Sequence, residues 1–177
     1  MIPLLAFVAV VTVMYVELRV SQRHERHLRA SGAHEPPDDV YPAMRIVYPA
    51  SFAAMTIEGL IGTAVKTGEF STLGSSMRTL TIAGLAILVG AKALKTWAIV
   101  SLGTAWSFRV LVLPGTELVT SGPYRYLRHP NYLAIVGELV GMALLVRAPV
   151  TGAGSLLVFG YLLRKRIAIE ERSLGLR

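Results

Sequence analysis

The 177-residue sequence has no cysteine, which excludes disulfides, thiolate nucleophiles, Cys-ligated zinc and iron–sulfur clusters. Charge is scarce as well. Asp, Glu, Lys and Arg make up 16% of the chain, against about 25% in a soluble domain. Mean hydropathy is +0.54. There is too little polar sequence to clothe a soluble domain, and too much apolar sequence for disorder. The chain also has no G-x-G-x-x-G, P-loop, G-x-S-x-G or H-E-x-x-H signature. A Rossmann turn, a phosphate loop, a serine-hydrolase elbow and a zincin site are thereby excluded. The composition that remains is that of an all-α integral membrane protein forming one domain, residues 1–177.

Five apolar stretches can be read, at about residues 1–16, 41–65, 80–100, 131–146 and 148–163. A hydrocarbon core of ~30 Å needs about 20 helical residues. The first three stretches meet that length. The last two are shorter and read as a tilted or partly interfacial hairpin that turns at Arg147-Ala148-Pro149. Residues 1–100 thus form three N-terminal spans. Residues 101–177 hold a long connection, the hairpin and a C-terminal helical segment. The first stretch has no basic residues before it, so it reads as an anchored helix and not as a secretion signal.

The net charge of +7 comes from 18 basic and 11 acidic residues. Arg19, Arg23, Arg26 and Arg29 follow the first stretch. Arg109, Arg125 and Arg128 lie between the third and fourth, and Arg164, Lys165 and Arg166 follow the fifth. Five spans with the N-terminus outside put all three groups on the cytoplasmic side; the opposite loop, residues 66–78, is weakly charged. The excess charge therefore answers to topology and anionic lipid, and no nucleic-acid platform is present.

Three sets of polar residues are candidates for chemistry. Tyr124 to Tyr132 (YRYLRHPNY) leads into the fourth stretch, with Pro130 where a helix would begin. Free N–H groups at such a start cradle anions, and Arg125, Arg128 and His129 stand beside it. Residues 164–171 (RKRIAIEE) leave the fifth stretch, with Arg166 and Glu170 on one helix face and Glu171 turned by roughly 100°. Glu58 and Glu138 lie inside apolar stretches, where a carboxylate is costly and is a functional candidate by default. Lys92 is a possible partner for Glu138, although Lys92 and Lys95 would equally reach the surface along their stems. His24 and His27 have a metal-like spacing but no further ligands; they read as a solvated basic face, and no metal is expected.

The pair of elements GPYRYLRHPNY and, beyond a hairpin, RIAIEE resembles the isoprenylcysteine carboxyl methyltransferase family and the wider group containing membrane phospholipid methyltransferases. The likeness covers about residues 102–174. It implies transfer of a methyl group from S-adenosylmethionine, with S-adenosylhomocysteine as product, to a lipophilic acceptor at the cytoplasmic membrane face. The resemblance implies a cofactor site at Tyr126, Arg128, His129, Pro130, Tyr132, Glu170 and Glu171. Arg166, Glu170 and Glu138 are the candidates for catalysis. The acceptor stays open between a carboxylate, a phenolic lipid and another small hydrophobic acid, with N-methylation a further option. The expected partners are the bilayer and the lipophilic acceptor, and the expected location is a bacterial inner membrane. The alternatives are an NADPH-dependent, sterol-reductase-like enzyme and a non-catalytic anchor or assembly protein.

Overall fold

The computed structural model describes residues 1–37, 40–65, 74–115 and 118–173. Most of the 66–78 loop, together with Asp38, Asp39 and Leu174, lies outside them. Five helices make up the described fold: α1 (Ile2–Ala30), α2 (Tyr41–Val65), α3 (Gly74–Leu102), α4 (Pro130–Val146) and α5 (Pro149–Ser173). Three of them, over Ile2–Ala30, Tyr41–Thr63 and Arg78–Ala105, are long and apolar enough to cross a membrane. Leu, Ile and Val are exposed along α1, α2 and α3, as expected where hydrocarbon replaces water as the solvent.

The helices outlast the apolar stretches in the sequence. α1 continues as one helix past Val16, so the four arginines that follow lie on the helix itself and not in a loop. The fifth stretch was expected to be short, but α5 runs unbroken for 25 residues through Arg164-Lys165-Arg166. Those charges end the hydropathy signal without ending the helix, because Arg and Lys are good helix formers. α4 is short, at 17 residues or about 26 Å. The turn falls where the sequence places it. Arg147 takes the left-handed conformation (φ 60, ψ 52), and the Ala148 N–H reaches back to the Ala143 carbonyl at 2.8 Å.

The core is centred on α4, which packs antiparallel on α3 with almost no side chain between the backbones. A Cβ on Gly141 would stand 2.6 Å from the Leu88 amide nitrogen, and one on Gly84 would meet the Gly141 carbonyl at 2.8 Å. Small residues at such a crossing allow the dispersion contact that drives helix association in lipid. Phe52, Met55, Leu139, Met142 and Phe159 fill the centre between α2, α4 and α5.

Glu58 finds a structural partner here. Its carboxylate accepts the N–H groups of Val150 (3.1 Å) and Thr151 (2.7 Å) and the Thr151 hydroxyl (2.5 Å). It thus caps the first turn of α5 from a neighbouring helix.

At the opposite end of the bundle, the connection between α3 and α4 folds back over α1. It makes a short 3-10 turn at Gly103–Ala105 and an isolated antiparallel bridge between Val112 and His34. A second 3-10 turn, Gly122–Arg125, leads toward α4. Gly122 adopts φ +60 against the Ser101 side chain, a position where a Cβ would have no room.

Candidate active site

Pro130 opens α4 as its first residue, with His129 in the capping position. The next inward residue is Tyr132, whose ring stacks on the His129 imidazole at 5.4 Å between centroids. Because α5 runs antiparallel to α4, its C-terminal turns come alongside this start. Arg166, Glu170 and Glu171 arrive from there, 34 to 42 residues away in sequence. Tyr132 donates its hydroxyl proton to Glu170 Oε2 at 2.5 Å and accepts from Arg166 Nε at 3.1 Å. His129 Nε2 lies 3.4 Å from Glu171 Oε1, and its Nδ1 is 4.0 Å from Glu170. Arg166 and Glu171 are buried, whereas His129 and Glu170 keep an open edge.

The remaining residues of the sequence motif divide. Tyr126 and Arg128 stand exposed beside the cluster, and Arg125 covers the Tyr126 ring at 5.8 Å. The aromatic that feels Glu170 is Tyr124 instead. Burial raises its hydroxyl pKa, and the nearby Glu170 charge raises it further. Asn131, in the same first turn, holds its Oδ1 buried with no hydrogen-bond partner among the described residues. Two surface hollows, of about 270 and 340 Å³, lie elsewhere, on the Lys165–Arg172 face of α5 and along α1 at Gln22–Arg29. Within the cluster the polar groups bond one another, and its open edge lies at His129 and Glu170.

Glu138 sits about 9 Å deeper along α4 than Tyr132, in a second polar group. It is fully buried, and Lys92 reaches it at 2.8 Å and Lys95 at 3.4 Å. The Tyr48 hydroxyl donates to it. The same two lysines hold Glu17 of α1, at 3.2 and 2.7 Å. Lys95 is 1% exposed, so it does not reach the surface as its long stem allowed. Two carboxylates and two ammonium groups neutralise one another and tie α1, α3 and α4 together. His24, expected to face solvent, instead bonds the Trp106 carbonyl through Nδ1 at 2.8 Å; His27 is exposed.

Comparison with known proteins settles the kinship. The model of the isoprenylcysteine carboxyl methyltransferase (ICMT) family matches residues 83–175, from α3 through the end of α5. The chain belongs to the ICMT family. That match spans every member of the His129–Glu171 cluster, together with Glu138, Lys92 and Lys95. An uncharacterized protein of Bacillus subtilis, YpbQ, is 29% identical over 158 residues, covering 89% of this chain and 88% of the relative. An uncharacterized protein of Haemophilus influenzae is 29% identical over 172 residues, covering 97% and 94%. No solved structure matches. Membership in the ICMT family implies methyltransferase chemistry, here in a chain with helices apolar enough to span a membrane.

Sequence reasoning identified His129, Tyr132, Arg166, Glu170 and Glu171 singly, and the hairpin brings them together. It passed over Tyr48 and Glu17 and did not single out Tyr124 within its motif. Glu17 carried a usable signal, as a carboxylate ending an apolar run.

Proposed function

We propose that this protein transfers a methyl group from S-adenosylmethionine to the oxygen of a lipophilic acceptor at the cytoplasmic membrane face. The observation that carries this reading is the meeting of His129 and Tyr132, at the start of α4, with Arg166, Glu170 and Glu171 of α5. A zwitterionic amino-acid moiety needs an acceptor for its ammonium and donors for its carboxylate. Glu170 and Glu171 supply the first; His129, Arg128 and the opening turn of α4 supply the second. The unpartnered Asn131 Oδ1 and the exposed Tyr126 ring add a buried polar atom and an aromatic face suited to a cation. The donor set therefore fits the cofactor.

When bound, S-adenosylmethionine supplies a methyl group activated by the positive charge on sulfur. The protein's residues then have to align the acceptor and keep the site dry. Arg166 orients an acidic oxygen through its planar fork. Tyr132 bonds the half-buried Glu170 carboxylate and His129 lies against the buried Glu171. Ligand groups exchange with those internal bonds. Glu138 is held by two lysines and the Tyr48 hydroxyl, and in this reading it fixes the scaffold on which α4 presents His129.

The placement of charge supports one orientation. The arginines of α1, of the α3–α4 connection and of α5 gather at the end of the bundle that carries the cluster, and in this reading that end is cytoplasmic and the N-terminus is outside. The plasma membrane of a bacterium is the corresponding location. The acceptor is an isoprenylcysteine-like carboxylate, a phenolic lipid or another small hydrophobic acid.

The test is differential stabilisation of the purified protein. S-adenosylhomocysteine should raise its melting temperature while NADPH leaves it unchanged, since a ligand of the native state stabilises by mass action. Stabilisation by NADPH alone would assign a reductase instead. Incubation of membranes with methyl-labelled S-adenosylmethionine then identifies the extracted lipid that carries the label.

A further inference from the structure

Four inward residues on the second half of α1 engage the rest of the protein through polar bonds. Glu17 holds the lysines of α3. One turn later Ser21, fully buried, accepts the Phe108 N–H at 2.8 Å and donates to Glu25 Oε1 at 2.7 Å. His24 bonds the Trp106 carbonyl at 2.8 Å, and Glu25 lies 3.5 Å from the Arg109 guanidinium. The segment from Trp106 to Arg109 has no regular secondary structure; the Gly103 carbonyl accepts the Trp106 N–H, and side chains bond the Trp106 carbonyl and both main-chain groups of Phe108.

Phe108 is the pivotal residue of that segment. Its N–H points to Ser21 of α1, and its carbonyl accepts Arg166 Nη2 of α5 at 2.5 Å. Arg166 turns its Nε to the Tyr132 hydroxyl, and that hydroxyl donates to Glu170. The main chain of one residue, through the two peptide groups that flank the Phe108 Cα, thus relays the position of α1 to the guanidinium at the centre of the candidate site. A planar fork bonded in two directions at once is fixed in orientation as well as in place.

We propose that Ser21 is a positioning residue of the methyltransferase site. Through the Phe108 main chain it fixes the Arg166 guanidinium, and with it the Tyr132–Glu170 pair, in the geometry that receives the cofactor. This rests on the reading of Glu170 and Arg166 as ligand-facing groups. Loss of the hydroxyl leaves a part-buried N–H without this acceptor and releases the Phe108 carbonyl from its fixed line to Arg166.

The experiment measures S-adenosylhomocysteine affinity by calorimetry on the full chain in lipid nanodiscs, in wild type, Ser21→Ala, Ser21→Thr, Arg166→Lys and the Ser21→Ala/Arg166→Lys double variant. Amide exchange of the 106–109 segment is followed without ligand. Ser21→Ala should weaken binding about fivefold or more and speed exchange in that segment, with the α3–α4 pair unaffected. Ser21→Thr, which keeps the hydroxyl, should bind within about twofold of wild type. In the Arg166→Lys background, Ser21→Ala should add less than about twofold, because both changes act through one guanidinium. Unchanged affinity in Ser21→Ala, or full additivity with Arg166→Lys, overturns the proposal and leaves the methyltransferase reading standing. Absence of S-adenosylhomocysteine binding by the wild-type protein overturns both.

Discussion

Tyr132 and Glu170 are bonded hydroxyl to carboxylate at 2.5 Å, across the one interface where the start of α4 faces the end of α5. Between them they hold the candidate site in register. If Glu170 then receives a cofactor ammonium, its charge matters more than its shape. Glu170→Gln keeps the volume and one acceptor oxygen, yet should weaken S-adenosylhomocysteine binding about tenfold or more, the cost of losing a charge-assisted bond in a partly desolvated place. Calorimetric titration decides it, and a Gln variant with native affinity would strip Glu170 of that role.

Arg166 bonds Tyr132 and the Phe108 carbonyl from two nitrogens of one plane. A lysine keeps the positive charge but has no such fork. Arg166→Lys should therefore lower methyl transfer to the labelled acceptor at least about tenfold, corresponding to ~1.4 kcal/mol of transition-state stabilisation. Its melting temperature should fall by only a few degrees. Full turnover in this variant is the result that would falsify a directing role for the guanidinium.

The buried quartet of Glu17, Lys92, Lys95 and Glu138 makes a different kind of prediction. Lys95 is 1% exposed and Glu138 is not exposed at all. Lys95→Met leaves two carboxylates facing one ammonium, and breaking a buried pair in this way costs on the order of 3–5 kcal/mol. Removing one charge of each sign, in Lys95→Met/Glu138→Leu, restores neutrality and should recover part of the loss. Thermal unfolding of the wild type, Lys95→Met, Glu138→Leu and the double variant, four proteins in the same detergent, measures the coupling. A double variant as unstable as the two single losses summed would mean that the charges do not act as a unit.

The legibility of this protein in its sequence was uneven, for physical reasons. Spans are legible because lipid imposes a composition over some 20 residues, and the α4–α5 turn is legible because Pro149 disfavours helix just before it. The pairing of His129 with Glu171 was legible only through the hairpin between them, whose two arms have to run antiparallel. Glu58 stood out as an intramembrane carboxylate, but its work of capping α5 could not be seen, because cap and helix belong to different segments, about 92 residues apart. Ser21 carried no signal at all. A serine amid arginines reads as surface, and its burial depends on the α3–α4 connection folding back over α1.

Acid should loosen that same connection. Glu35 receives Arg29 at 2.6 Å and Arg109 at 2.5 Å, joining the α1–α2 segment to the α3–α4 connection. Burial acts to raise its pKa, but the hydrogen bonds and charges of the two arginines outweigh burial and hold it below the ordinary value of 4.5. A carboxylate with a depressed folded-state pKa contributes stability that is fully present above its unfolded value and is lost as pH falls through the folded one. The contribution is therefore intact at neutral pH and disappears below about pH 4.5. Amide protection factors across residues 106–113, taken relative to the intrinsic exchange rate at each pH, should fall over that acid range in the wild-type protein. In Glu35→Gln the protection should already be lower at pH 7 and should change less with acid. If the wild-type segment stays protected well below that range, or the Gln variant keeps the full acid dependence, another group controls the docking of this connection.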